Sequence, residues 1–243
     1  MTGQWQELGE RDGIEAYVHR PEGAVRGAVV LCPELYGVTA YVRSICAELA
    51  EHGYVTLAPD FYWRQTRRTD LGYSAEEREA GLVLMRALDR DELVADAAQA
   101  LAAARAAADG HGVAFLGMSM GGHVAARAAT ELEFELAALF YPGWLLSPGF
   151  PLVGPVAPLE TAERVAANGA FLLGFCGELD HIVQPEEWEE AELRLTEAKV
   201  PHELITYPGA GHGFACADRP ADYNEEAAAD AWRRVYQALA EHL

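Results

Sequence analysis

The sequence is poor in basic residues, and lysine is almost absent. Eighteen lysine and arginine residues stand against 38 aspartate and glutamate residues, which gives a formal net charge of −20 at pH 7. Lys199 is the one lysine. A surface of this sign repels phosphate backbones and anionic membranes. The composition therefore argues against nucleic acid as a partner, and an anionic substrate would need a local arginine in order to bind.

Cysteine is also scarce, and long apolar runs are missing. The four cysteines form neither a C-x-x-C pair nor the dense spacing of small secreted domains, so we expect reduced thiols, no metal site and no disulfide framework. No apolar stretch reaches the roughly 18 residues that span a bilayer. The first ten residues, M-T-G-Q-W-Q-E-L-G-E, lack the basic start and apolar core of a signal peptide. We expect a cytoplasmic protein that is not embedded in a membrane.

Short apolar segments alternate with longer helical patterns along the chain. The predicted strands cover residues 13–18, 27–32, 54–59, 113–117, 136–141, 170–176 and 202–207. The predicted helices cover residues 42–52, 75–88, 91–108, a segment from 120, a segment near 186–198, and 221–242. Continuously apolar strands followed by helices favour a mostly parallel sheet with helices on both faces. Because no repeat and no linker divides the chain, we predict a single α/β domain over residues 1–243.

The segment F-L-G-M-S-M-G-G-H, residues 115–123, contains the pattern G-x-S-x-G. The pattern alone is weak evidence, because small residues often cluster by chance. Here it directly follows the strand pattern V-A-F-L and precedes the helical pattern H-V-A-A-R-A-A-T-E-L. Glycines on both sides allow the sharp strand-to-helix turn of a nucleophile elbow, and a helix start favours a developing anion. This context favours Ser119 as a nucleophile over a structural turn serine.

A serine hydroxyl needs a base to remove its proton, and the base needs an acid to orient it. Asp180 directly follows the apolar run A-F-L-L-G-F-C-G-E-L, and His212 lies in a glycine-rich loop after the next strand. The order Ser, Asp, His is the chain order of α/β hydrolases. Glu178, His181 and His123 are neighbouring alternatives, which we interpret as surface residues or as residues behind the reacting groups.

The chain resembles the dienelactone hydrolases over nearly its whole length. The resemblance rests on C-P-E-L-Y-G at 32–37, G-Y-V-T-L-A-P-D-F-Y at 53–62, E-R-E-A at 77–80, G-M-S-M-G-G at 117–122, G-E-L-D-H-I-V at 177–183 and A-G-H-G-F-A at 210–215. The elbow and histidine motifs occur throughout the α/β hydrolases, whereas P-E-L-Y-G followed by P-D-F-Y is specific to this family. The resemblance implies a single-domain α/β-hydrolase fold and hydrolysis of small esters or lactones, without metal or cofactor.

The resemblance also implies roles for the residues around the nucleophile. Glu34 would lie beside Ser119, and the backbone N–H groups of Leu35 and Met120 would form the oxyanion hole. The best-known members carry cysteine in the elbow, where the glutamate is thought to control ionisation of the thiol. With a serine in that place, the hydroxyl must rely on His212 as its base.

Two arginines of the family grip a carboxylate on the substrate. One corresponds to Arg78 in E-E-R-E-A, and the position of the other is occupied by Cys216. Half of the carboxylate clamp is therefore missing, although Arg219 could reach the site from the same loop.

Three functions stay open at this point. The chain could be a serine hydrolase of small esters or lactones, a binding protein on the same scaffold with slow or absent turnover, or an α/β hydrolase of the peptidase or lipase type. A binding protein has no need for three reacting groups in register. Peptidases and lipases usually add a cap domain or an apolar lid, whereas this chain offers only loops around 63–75 and 144–160. We therefore favour the small-ester hydrolase, acting on a small molecule as a monomer or homodimer.

Overall fold

The computed structural model describes residues 3–9, 13–147 and 150–243, so that residues 148 and 149 of the loop 144–160 lie outside the described part. Eight strands form one sheet in the order β1-β2-β4-β3-β5-β6-β7-β8. The strands are β1 (Gln4–Glu7), β2 (Glu15–His19), β3 (Ala28–Cys32), β4 (Val55–Pro59), β5 (Val113–Met118), β6 (Leu136–Phe140), β7 (Phe171–Gly177) and β8 (His202–Tyr207).

The sheet is mostly parallel, as the sequence predicts. The strands β4, β3, β5, β6, β7 and β8 run parallel to one another, whereas β1 and β2 join one edge in antiparallel pairing. Every residue of β3, β4, β5 and β6 is buried, as expected for central strands covered on both faces. The edge strand β1, with the sequence Q-W-Q-E, was not predicted because it is short, polar and half exposed.

Seven α-helices flank the sheet in the described part of the chain. They are α1 (Ala40–Glu51), α2 (Ala75–Arg86), α3 (Arg90–Ala107), α4 (Met120–Glu131), α5 (Ala162–Asn168), α6 (Pro185–Glu197) and α7 (Glu225–His242). The closing helix begins at Glu225 and not at residue 221, because the side chain of Asn224 caps it by accepting a hydrogen bond from the N–H of Ala227. The helix α5 was not predicted, since its seven residues are too few to establish a helical period.

Two apolar layers hold the helices on opposite faces of the sheet. Along β3, Val30 and Cys32 belong to the layer that includes residues of α3, α4, α5 and α6. Val29 and Leu31 belong to the other layer, which includes residues of α1 and α7. This alternation follows from the two-residue period of a strand. It confirms the predicted arrangement of helices on both faces.

The carboxyl ends of the parallel strands carry the residues singled out by the sequence. Glu34 follows β3, Ser119 follows β5, Asp180 follows β7 and His212 follows β8. Ligands of open α/β sheets bind at this edge, so the topology gathers these residues at one place. Within residues 3–9, 13–147 and 150–243, no helix is both long and apolar enough to cross a bilayer.

Candidate active site

Ser119 occupies a sharp turn between β5 and α4. Its backbone has φ 54° and ψ −115°, a region that non-glycine residues rarely adopt and that costs about 1–3 kcal/mol. A Cβ atom at Gly117 would collide with the carbonyl of Gly121, and one at Gly121 would collide with the carbonyl of Cys32. The two glycines of G-x-S-x-G therefore allow helix, strand and loop to approach closely, which presents the serine hydroxyl at the head of α4.

The side chains of Ser119, His212 and Asp180 form a hydrogen-bonded chain. The Oγ of Ser119 lies 2.8 Å from Nε2 of His212. On the other side of the imidazole, Nδ1 lies 2.9 Å from Oδ2 and 3.1 Å from Oδ1 of Asp180. The N–H groups of Ile182 and Val183 donate to Oδ1 at 2.8 and 2.9 Å. These backbone bonds hold the buried carboxylate in place, and the carboxylate in turn orients the histidine.

Leu35 and Met120, the predicted oxyanion-hole residues, meet beside Ser119 in one cleft. Met120 is the first residue of α4, and the first N–H groups of a helix have no acceptor within the helix. Leu35 lies in the turn after β3, where the N–H of Gly37 donates to the carbonyl of Glu34 at 3.1 Å. Both residues therefore lie beside Ser119, one in the turn after β3 and one at the start of α4.

Glu34 is a buried carboxylate and not an exposed strand end, since only 3% of the residue is accessible. Its Oε2 lies 3.6 Å from the Arg219 guanidinium, and the Tyr141 hydroxyl donates to Oε1 over 3.5 Å. Burial raises the pKa of Glu34, while the positive charge of Arg219 opposes the rise. These contacts are long and compensate a negative charge on Glu34 only in part. The hydrogen bonds of Asp180, the other acid of the site, are shorter.

The two candidate arginines differ in burial and in partners. The Arg78 side chain is 49% exposed, and its contact with Glu79 is long at 3.7 Å. Arg219 is only 17% exposed and bonds Asp222 at 2.7 Å. Both line the cleft. Cys216, which corresponds to the family's second arginine, is fully buried with its thiol 3.7 Å from the Tyr73 hydroxyl, so the positive charge on this loop comes from Arg219.

The cleft around Ser119 has a volume of about 410 Å³. Its remaining lining comes from the loop after β3, from α2, from the loop after β6 and from the loop after β7, namely Tyr36, Leu82, Met85, Arg86, Trp144, Phe150, His181 and Ile182. Apolar and aromatic side chains dominate this set. A larger groove of about 670 Å³, lined by residues 19–24, 26, 47 and 50–53, contains no nucleophile with a base and an acid.

The three alternative residues near the elbow and the acid have separate places. His123 is fully buried behind the elbow, with Nδ1 3.3 Å from the carbonyl of Gly143, and burial lowers its pKa to about 4. His181 lines the cleft, and its ring centroid lies 5.8 Å from that of His212. Glu178 is exposed and accepts from the N–H of Gly209 at 3.0 Å. None of them replaces Asp180 or His212 in the hydrogen-bonded chain.

The chain matches known proteins over nearly its whole length. A model described as the dienelactone hydrolase family matches residues 14–243. The chain belongs to this family. In the part of the chain that the structure describes, no cluster of three histidine, cysteine, aspartate or glutamate residues could hold a metal ion.

Individual members of the dienelactone hydrolase family are similar to the chain over most of their length. A Synechocystis sp. protein named "Putative carboxymethylenebutenolidase" is 31% identical over 221 residues, which cover 88% of this chain and 86% of the relative. The carboxymethylenebutenolidase of Rhodococcus opacus is 30% identical and covers 93% of this chain, which spans 86% of it. A crystal structure named "Putative Dienelactone Hydrolase", from Klebsiella pneumoniae, has a TM-score of 0.84 at 26% identity, with 99% and 98% coverage.

Membership of the dienelactone hydrolase family establishes the class of enzyme. The chain is a hydrolase that acts on ester bonds, as its sequence predicts. The apolar walls of the cleft were missed by sequence reasoning, since Leu82, Trp144 and Ile182 lie on separate elements and share no motif. The sequence did contain one indication that Trp144 lies near the cleft. This tryptophan follows Pro142 and Gly143 in the loop directly after the apolar run of β6, at the carboxyl end of that strand.

Proposed function

We propose that the chain hydrolyses small carboxylic esters or lactones through a Ser119, His212 and Asp180 triad and a covalent acyl-enzyme. The observation that carries this proposal is the 2.8 Å contact between Ser119 Oγ and His212 Nε2, with Asp180 on the opposite nitrogen. A nucleophile in contact with a base that is itself oriented by an acid is the arrangement that acyl transfer requires. The eight strands form one sheet, and we assign the activity to one domain over residues 1–243.

The first half-reaction forms the acyl-enzyme. His212 Nε2 takes the proton of Ser119 Oγ as the oxygen attacks the ester carbonyl carbon. The carbonyl oxygen becomes an oxyanion and accepts hydrogen bonds from the N–H groups of Leu35 and Met120, each worth about 3–4 kcal/mol in comparable sites. The imidazolium, stabilised by Asp180, then gives its proton to the leaving alkoxide as the carbon–oxygen bond breaks.

The second half-reaction releases the acid. Water loses a proton to His212 Nε2 and attacks the acyl carbon, which again places negative charge on the oxygen between the two N–H groups. Collapse of this intermediate expels Ser119 Oγ, which recovers its proton from His212. For a lactone, the alcohol released in the first step stays attached to the acyl group, so the final product is a single hydroxy acid.

The volume and the arginines of the cleft favour a small substrate that carries a carboxylate. A volume of about 410 Å³ suits a small molecule. The contact between Arg78 and Glu79 is long at 3.7 Å, whereas Arg219 is already paired with Asp222 at 2.7 Å and faces Glu34 at 3.6 Å. In a protein of net charge −20, a guanidinium in the cleft is needed to retain an anion. We therefore assign the first contact with the substrate carboxylate to Arg78.

Selective chemical labelling tests the nucleophile. A fluorophosphonate should label Ser119 and stop ester hydrolysis, whereas iodoacetamide should leave turnover intact. The reason is that all four cysteines are buried, and burial raises the pKa of Cys46, Cys176 and Cys216 to about 12, so little thiolate is available to react. Peptide mass spectrometry identifies the labelled residue, with Ser119→Ala as the unlabelled control. Loss of activity with iodoacetamide in a folded protein would require a catalytic cysteine instead.

The carboxylate contact is tested by Arg78→Ala. On a lactone that carries a free carboxylate, kcat/KM should fall about 10- to 100-fold, in line with a charged hydrogen bond worth about 1.5–3 kcal/mol. On the neutral carboxamide of the same lactone, kcat/KM should change little. Arg194→Ala is a matched control, because the Arg194 side chain is similarly exposed at 48% but lies on α6 and pairs with Glu190. Equal losses on both substrates would assign Arg78 a structural role and contradict the carboxylate proposal.

A further inference from the structure

Tyr62 lies in the turn that follows β4 and contacts both residues assigned to the oxyanion hole. Its side chain is buried, with 1% of the residue accessible. The hydroxyl oxygen lies 3.1 Å from the carbonyl oxygen of Leu35 and 3.2 Å from Sδ of Met120. A single hydroxyl group therefore joins the loop after β3 to the start of α4.

We propose that Tyr62 is a positioning residue that sets the separation of the two oxyanion-hole N–H groups. This inference rests on the proposed function, since it assumes that Leu35 and Met120 donate to the oxyanion. Effective donors must lie about 2.7–3.1 Å from the position that the oxyanion occupies. A shift of one donor by a few tenths of an ångström would weaken its hydrogen bond in the transition state while leaving the rest of the cleft unchanged.

The two donors differ in how firmly the fold holds them. Met120 begins a helix of 12 residues, so the helix itself fixes its backbone. Leu35 belongs to an irregular turn, and its carbonyl oxygen accepts a hydrogen bond from the Tyr62 hydroxyl. The same hydroxyl oxygen packs against the Met120 sulfur, which is a weak acceptor. Tyr62 thus links Leu35, the donor in the irregular turn, to Met120, the donor that the helix holds in place.

Tyr62 itself is anchored at its backbone, as this role requires. Its N–H donates to Oδ1 of the buried Asp60 at 3.3 Å, and its carbonyl accepts from the N–H groups of Gln65 and Thr66 at 2.8 and 2.9 Å. The other carboxylate oxygen of Asp60 accepts from the N–H of Arg68. The motif P-D-F-Y therefore builds a closed turn around Asp60, and the phenol that follows this turn reaches Leu35 and Met120.

The experiment replaces only the hydroxyl group, with Tyr62→Phe. With p-nitrophenyl acetate we expect kcat to fall about tenfold, which is less than the 10²- to 10³-fold loss that follows complete removal of a donor, and KM to stay within twofold. Phenylboronic acid, which forms a tetrahedral adduct with an active-site serine, should bind about tenfold more weakly. Tyr54→Phe is the control. Tyr54 is also buried, but it precedes β4 and so lies at the amino end of this strand, away from the carboxyl end that Tyr62 follows.

The outcomes separate this inference from the proposed function. If Ser119→Ala retains activity, the proposed triad is wrong whatever Tyr62→Phe does. If the triad holds and Tyr62→Phe leaves kcat and boronate affinity within twofold of wild type, or lowers them no more than Tyr54→Phe does, the positioning role is overturned. Should Tyr62→Phe not fold, Met120→Leu removes the sulfur contact instead and should lower kcat about threefold at unchanged KM. An unchanged kcat in that variant overturns the inference equally.

Discussion

Ser119→Ala should reduce kcat/KM for p-nitrophenyl esters by about 10⁴- to 10⁶-fold, as loss of the nucleophile does in other serine hydrolases. The hydroxyl contacts His212 Nε2 at 2.8 Å, and alanine leaves no atom in that position to attack the carbonyl carbon. Alanine keeps the Cβ atom, so the strained backbone at φ 54° is equally tolerated. The free energy of unfolding should change by less than about 1 kcal/mol, measured by chemical denaturation alongside the kinetics.

Ser44→Ala provides the matched control for this prediction. The Ser44 hydroxyl donates to the carbonyl of Tyr41 within α1. No residue of α1 lines the cleft around Ser119. The kcat/KM of Ser44→Ala should stay within twofold of wild type. More than a tenth of wild-type activity in Ser119→Ala would contradict the serine mechanism. Binding of esters without turnover in the wild-type protein would instead support the alternative of a binding protein.

The order of elements and the position of the elbow were predictable because both depend on local sequence. A strand that is apolar throughout and a helix start flanked by glycines each leave a pattern within about ten residues. The location of Asp180 and His212 at the carboxyl ends of their strands could be predicted for a different reason. Both follow strands that pair directly, β7 with β8, and parallel neighbours end at the same edge of a sheet. Their approach to Ser119 is then a consequence of the topology.

The supporting contacts could not be predicted, because they join segments that are distant in the chain. Glu34 is 107 residues from Tyr141, and the hydroxyl of Tyr62 is 58 residues from the Met120 sulfur. A strand-end glutamate carries no sign of burial in its own sequence, and only the packing of other loops over it removes it from water. Arg219 does line the cleft, as the sequence analysis allowed, and it reaches this position through the turn in which its N–H donates to the carbonyl of Cys216.

Asp180→Asn should lower kcat by about 10⁴-fold, the loss measured when the equivalent change fixes the wrong histidine tautomer in another triad. The contacts of Asp180 determine how the asparagine will sit. Oδ1 accepts from the N–H groups of Ile182 and Val183 at 2.8 and 2.9 Å, so the amide oxygen must take that place. The amide NH₂ group then occupies the position of Oδ2, which lies 2.9 Å from Nδ1 of His212.

In that orientation the amide donates to Nδ1, and the imidazole proton moves to Nε2. A protonated Nε2 cannot take the proton of Ser119, so acylation stops although every heavy atom keeps its position. The thermal midpoint should therefore stay close to wild type while kcat falls at all pH values up to 8. Glu178→Gln is the control, because this exposed neighbour contacts the N–H of Gly209 and not His212, and its kcat should stay within twofold. A loss below tenfold in Asp180→Asn, together with a larger loss in Glu178→Gln, would contradict this assignment. Glu178 would then be the acid that orients His212, and its carboxylate would have to move to the histidine when the substrate binds.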